Sequence, residues 1–179
     1  MIRNYLLLFS LLIVCGCSSV LPAQDTKAPN DKIQWLSIQD ALRKSKSDPK
    51  KIFVDVYTSW CGWCKKMDKS TFEDPAVVSY VNVHFYPVKF DAETRDTISY
   101  REKTFSYLPD YKSNELAAVF LNGQMSYPTS VYLDEQSNLI GPVPGFLDAN
   151  QFLVVVKFFG DDIYKTKKWE DYIRENFSK

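Results

Sequence analysis

Apolar positions change period several times along this chain, and each change marks an element. Between Ile33 and Lys46, Trp35, Leu36, Ile38, Ala41 and Leu42 recur among polar residues, which predicts a short amphipathic helix capped by Ser37 and ended at Asp48-Pro49. Lys51 to Tyr57 is a β-branched and aromatic run bounded by turn residues, the pattern of a strand buried on both faces, with Asp55 the polar exception in its middle. A helix is expected from Cys61 through Met67, reaching Tyr80 if the break near Asp74-Pro75 is only a kink. His84 to Phe90 alternates as a second strand in which His84 is an ordinary residue, and the charged stretch from Asp91 to about Phe105 suits an exposed helix. After a loop at Leu108-Pro109-Asp110, Leu116, Val119 and Phe120 fall at helical spacing between Asn114 and Asn122, with Gly123 as the stop. Thr129 to Leu133 and Leu139-Ile140, joined by the turn 134–138, read as a hairpin. Phe152, Val155, Val156 and Phe159 give the next helix one apolar face, ended by Gly160, and Trp169, Tyr172, Ile173 and Phe177 repeat that pattern. A helix, a β–α–β unit, further helices, a β-hairpin and terminal helices together predict an α/β domain of three layers, with a mixed central β-sheet flanked by helices.

The first residues follow a different logic. Arg3 is the only charged side chain before a nine-residue, largely apolar run from Leu6 to Val14, too short to span a bilayer and suited to a signal peptide. Val14-Cys15-Gly16-Cys17 resembles a bacterial lipobox, which implies a lipoprotein-type signal peptide over 1–16 and acylation of Cys17. Ordinary secretory cleavage after Ala23 is the rival, and either route exports the domain. Ser18 after Cys17 points to the outer rather than the inner membrane by the sorting rules of such lipoproteins. Residues 17–31 carry Pro22, Pro29 and polar side chains with no apolar period, the composition of a flexible tether. The domain is then 32–179, with a helical insertion around 104–124 and a C-terminal helix.

At 179 residues and 45% apolar content the chain has room for one core. Lysine plus arginine equal aspartate plus glutamate, 22 of each, so no electrostatic footprint for nucleic acid is present. With Cys15 in the leader and Cys17 acylated, only Cys61 and Cys64 remain for the folded domain. A bridge across two residues closes almost no loop and would stabilise little, so reactivity explains the pair better than stapling does.

The pair sits in Trp60-Cys61-Gly62-Trp63-Cys64, between a buried strand and a helix start. A helix N-terminus offers unpaired N–H groups and the positive end of the macrodipole, which favour a thiolate and make Cys61 the nucleophile. Cys64, one turn further on the same face, is placed to attack a mixed disulfide on Cys61. A zinc site would need about four ligands, and beyond the pair only His84 and Cys17 could serve. Haem attachment would need histidine where Lys65 stands, and a papain-like site would need a histidine far downstream. No metal and no cofactor is expected.

Phe53-Val54-Asp55-Val56-Tyr57-Thr58-Ser59-Trp60-Cys61-Gly62-Trp63-Cys64-Lys65-Lys66-Met67 resembles the active-site segment of the thioredoxin superfamily, in particular its exported bacterial domains with a CGWC motif. Tyr127-Pro128-Thr129 resembles the family's cis-proline segment, Pro144-Gly145 its glycine after the last strand, and Asp55 its buried aspartate six residues before the first cysteine. The resemblance, over roughly residues 50 to 160, implies a thioredoxin fold and a protein-disulfide oxidoreductase in the bacterial cell envelope, facing the periplasm. In that reading Cys61 attacks, Cys64 resolves, Asp55 relays a proton to or from Cys64, and the backbone beside Pro128 pairs with an extended client. Partners would be protein thiols or disulfides, with a membrane thiol donor where the chain acts as a reductase; the direction stays open. Trp60 and Trp63 suit core packing and client contact equally, Tyr127 and Pro128 belong to the client-facing segment, and Asp55 could instead be a purely structural buried acid. A non-catalytic client-binding adaptor and a Cu(I) chaperone are the alternatives. This chain departs from the family in three places. Trp63 stands where thioredoxin has proline, the strand before Asp91 offers Pro87 with Lys89 nearby where a lysine usually accompanies the aspartate, and Asp91 to Pro128 is about twenty residues longer than a minimal domain needs.

Overall fold

The computed structural model describes residues 31–177. The leader, Cys17 and nearly all of the tether lie outside the described residues.

Four strands form the sheet that organises the domain. Strand β1 (Lys51–Tyr57) runs parallel to β2 (Phe85–Asp91) on one side and antiparallel to β7 (Thr129–Leu133) on the other, and β7 pairs antiparallel with β8 (Leu139–Pro144). Side chains of a strand alternate between faces, and β1 uses both. Ile52, Val54 and Val56 enter a core closed by Ile38 and Ala41 of α1 (Ile38–Ser47) and by Leu116, Ala117 and Phe120 of α4 (Glu115–Phe120). Phe53 enters a second core built with Met67 of α2 (Gly62–Ser70), Val77, Val78 and Val81 of α3 (Pro75–His84), and Phe152, Val155 and Val156 of α5 (Ala149–Gly160). Tyr172 of α6 (Trp169–Phe177) also packs into this second core. The result is helix, mixed sheet, helix, with Asp55 on the same face of β1 as Phe53.

Several boundaries differ from the sequence expectation, each for a local reason. Helix α1 keeps its expected cap and begins at Ile38, with Ser37 accepting the Asp40 N–H; the apolar residues ahead of it are extended instead of helical, and the Leu36 N–H donates to Pro87 O at 2.8 Å along the edge of β2. The Asn82 side chain ties the same segment to α3, accepting from the Gln34 N–H and donating to Lys32 O. Helices α2 and α3 are separate, because Asp74 caps the Ala76 and Val77 N–H groups and Pro75 takes the first helical position, where its missing donor costs nothing. His84 is not a strand residue: it closes α3, with its ring stacked on Tyr80 at 4.1 Å.

The largest correction concerns Asp91 to Phe105, which is no helix. It contains a hairpin of β3 (Ile98–Tyr100) and β4 (Lys103–Phe105). Ile98 and Tyr100 are buried in the first core while Ser99 between them is exposed, a period of two hidden among charged neighbours. The turn uses Arg101 and Glu102 at positive φ, residues that carry none of the glycine or asparagine signal of such a turn. Two short strands, β5 (Tyr107–Leu108) and β6 (Ser113–Asn114), then lead into α4. Asn114 caps α4 through the Leu116 N–H, and its amide donates to Thr94 O and Asp96 O, which fixes the loop after β2.

Candidate active site at the start of helix α2

Strand β1 delivers the chain to the helix that carries the cysteines. Cys61 is the N-cap of α2: its Sγ accepts the Cys64 N–H at 3.0 Å, the bond that a capping oxygen makes elsewhere. No acidic residue lies in the first turn, so the positive end of the helix is not locally neutralised. Cys61 and Cys64 are joined in a disulfide with their Cα atoms 5.3 Å apart. In this oxidised form both are nearly covered, Cys61 at 5% and Cys64 at 2% exposure, so the difference in accessibility between them is small.

Asp55 is fully buried on the β1 face that α2 covers. The β1–β2 register pairs Phe53 with Pro87 and Asp55 with Lys89, so Lys89, and not Pro87, accompanies the aspartate. Lys89 Nζ lies 2.5 Å from Asp55 Oδ2 and also pairs with Asp68 of α2, which is partly exposed. The rings of Tyr57, Trp35 and Phe72 surround its ammonium at 4.9, 5.3 and 5.4 Å. Burial raises the Asp55 carboxyl, Lys89 pulls it down and the Asp68 charge pushes it up again, and together they leave it at about 6. For Lys89 burial opposes the charge, but the two carboxylates outweigh it and raise its pKa. Asp55 Oδ1 has no hydrogen-bond partner, and neither do the buried hydroxyls of Thr58, Ser130 and Tyr132; Ser130 is the residue opposite Asp55 on β7. A half-satisfied buried carboxylate with a pKa near neutrality can take up and return a proton.

Two indoles flank the cysteines and remain in water, Trp60 at 64% and Trp63 at 57% exposure. Trp60 donates from Nε1 to Glu93 Oε1 at 2.9 Å and meets Tyr127 edge-on, with centroids 5.9 Å apart. Trp63 leans on Phe146, and Lys66 Nζ lies 4.8 Å and 5.0 Å from the two ring centres. The Tyr127–Pro128 peptide bond is cis, and Pro128 O accepts the Gly145 N–H at 2.8 Å. Gly145 itself has φ +100°, a conformation that L side chains rarely adopt. The structure thus gathers Cys61, Cys64, Trp60, Trp63 and Tyr127-Pro128 at one end of the sheet, with Asp55 beneath. Sequence reasoning missed Asp68, Glu93 and Phe146. Asp68 carried a usable signal, since it follows Cys64 by one helical turn; Glu93 and Phe146 are brought in only by tertiary contact. Among the described residues no group of three or more His, Cys, Asp or Glu side chains is arranged to hold a metal ion.

Comparison with known proteins agrees with this geometry. Residues 18–142 match the family Thioredox_DsbH, described as a protein of unknown function, DUF255. The thiol:disulfide interchange protein DsbD of Pectobacterium atrosepticum is 29% identical over 117 residues, 64% of this chain and 17% of that protein. The chain spans less than a fifth of the length of the first curated relatives it matches. Among solved structures, DsbH oxidoreductase superposes with a TM-score of 0.55 at 21% identity, covering 84% of this chain and 96% of that one. A thioredoxin-fold protein from Helicobacter pylori gives 0.56 at 18% identity, covering 85% and 91%. These likenesses fix the fold, and the match over most of the chain fixes the lineage: the protein has a thioredoxin fold and belongs to the Thioredox_DsbH family.

Proposed function

We propose that the chain is a thiol–disulfide oxidoreductase that exchanges disulfides with protein clients in the bacterial cell envelope through Cys61 and Cys64. The observation that carries this reading is the cysteine pair closed into a disulfide at a helix N-terminus, with Cys61 as the cap. In the reducing direction the Cys61 thiolate attacks a client disulfide, forming a mixed disulfide and releasing one client thiolate. Asp55 takes the Cys64 proton; the Cys64 thiolate then attacks Cys61 Sγ, forms the 61–64 disulfide and releases the second client thiolate. Two protein thiols are oxidised and one client disulfide is reduced. The oxidising direction is the reverse. An extended client would lie over Trp60, Trp63 and Tyr127, pairing with the backbone beside Pro128; the Tyr127 N–H and C=O make no hydrogen bond among the described residues.

The relatives named for thiol:disulfide interchange support the exchange chemistry; in this reading the domain works in the envelope, with a membrane thiol partner as electron donor. Acylation of Cys17 would hold the domain at the outer membrane, on its periplasmic side. The reading is tested by trapping. Cys64→Ala should accumulate clients on Cys61 as adducts that survive denaturing, non-reducing electrophoresis and vanish with reductant, whereas Cys61→Ala should trap almost nothing. Equal trapping by both would assign the cysteines wrongly, and none by either would remove the oxidoreductase reading.

A further inference from the structure

Exposed tryptophans are uncommon, and those flanking a reactive centre are usually either mobile or held by neighbours. Both indoles beside this disulfide are held, and the groups that hold them carry opposite charge. Trp60 is fixed by the Glu93 carboxylate and the edge of Tyr127, and Trp63 by Phe146 and the Lys66 ammonium. Ordering these rings in the free protein removes part of the entropy cost of binding, and rigid aromatics of this kind supply most of the binding energy at an interface. Among the described residues neither Glu93 nor Lys66 enters a salt bridge. Glu93 Oε1 accepts the indole proton, so a carboxylate stands beside Trp60.

The surroundings extend each sign. Asp91 accepts the Glu93 N–H at 2.9 Å, so a second carboxylate stands beside the one bonded to Trp60; both charges act with burial to raise the Tyr127 pKa. The one basic side chain of that loop, Arg95, sits over the Tyr107 ring. At the other indole Lys66 is exposed and sits over the Trp63 ring, while the acidic residue of α2, Asp68, is occupied by Lys89. The surface around the cysteines therefore has an apolar centre, carboxylates at Trp60 and an ammonium at Trp63.

We propose that this surface selects extended client segments by charge order: a cysteine between apolar residues that lie on the two indoles, with a basic residue on the Trp60 side and an acidic residue on the Trp63 side. The inference rests on the exchange reading above and names the substrate class of the same site. Exposed charge pairs are weak, so each contact is expected to favour the matching segment about three-fold, and the two together about ten-fold between opposite orders. The preference should fade as salt shortens the screening length to a few ångströms.

The test uses two blocked peptides, Lys-Leu-Cys-Leu-Glu and Glu-Leu-Cys-Leu-Lys, each as its disulfide-linked homodimer, and the reduced full chain. Exchange oxidises Cys61 and Cys64 to their disulfide and releases two peptide thiols, which are counted by chromatography. One order should react about ten-fold faster at low salt. Glu93→Gln, which keeps the indole acceptor but removes the charge, and Lys66→Gln should each reduce that ratio about three-fold, and the two substitutions together should abolish it. Equal rates for both orders at low salt, or a ratio that neither substitution changes, would overturn the inference while leaving exchange itself intact. No exchange with either peptide would fail the oxidoreductase reading and this inference with it.

Discussion

Asp55→Asn should stabilise the folded chain, and only above a definite pH. The carboxylate is 1% exposed, its Oδ1 has no hydrogen-bond partner, and burial raises its pKa from 3.8 to about 6. Below 3.8 the group is protonated folded and unfolded alike, and folding incurs no charge penalty. Between 3.8 and about 6 the folded state holds a proton that the unfolded state has lost, so stability falls as pH rises through that window. Above about 6 both states are ionised and the penalty is complete. At about 1.4 kcal/mol per pH unit, the gap between the two values amounts to about 3 kcal/mol. The amide variant avoids that cost without stranding Lys89, which keeps Asp68 and is itself 22% exposed. Urea unfolding followed by tryptophan fluorescence, on both proteins in the disulfide form, should show a difference near zero at about pH 3.5 that grows to about 3 kcal/mol by pH 7.5. A difference independent of pH, or a variant less stable than the parent at pH 7.5, would refute the reasoning. On the proposed role of Asp55 as acceptor of the Cys64 proton, the same variant should also slow the release of clients.

Lys89→Met removes the one positive neighbour that lowers the Asp55 pKa, so the pH window of falling stability should extend above 6; unfolding curves that keep their midpoint there would count against the pairing. Cys17→Ala should move the chain from the membrane to the soluble fraction after cell lysis and ultracentrifugation, because stable anchoring depends on the acyl chains; an unchanged membrane fraction would remove the lipobox reading.

What the sequence disclosed depended on how local the determining contacts are. Strand β1, the helix start at Cys61 and the α5 face are set by runs of a few residues, and their periodicity shows them directly. Asp55 could be suspected because its offset from Cys61 is a matter of counting. Its partner could not be identified, since the choice between Pro87 and Lys89 depends on the β1–β2 register, which pairs Asp55 with Lys89. The β3–β4 hairpin was hidden for a different reason: Ile98 and Tyr100 are too few to establish a period, and Arg101 and Glu102 adopt positive φ without being residues that advertise it. Glu93 and Phe146 join the site across 33 and 83 residues from the tryptophans they hold, and no one-dimensional pattern records such a meeting.

The extended segment ahead of α1 has a mechanical consequence. Lys32 and Gln34 are bonded to Asn82, and Leu36 to Pro87, so the chain is clamped to α3 and to the β2 edge before the first helix begins. A pull applied N-terminal to residue 32, with a client held at Cys61, enters the domain through these bonds and crosses from β2 to β1. The β7–β8 hairpin, which carries Pro128 and Gly145 at its active end, lies on the far side of β1 and outside that line of tension. Tension would therefore strain the β2 edge before it reached the Pro128–Gly145 contact, leaving the backbone beside Pro128 in register while the segment ahead of α1 is stretched.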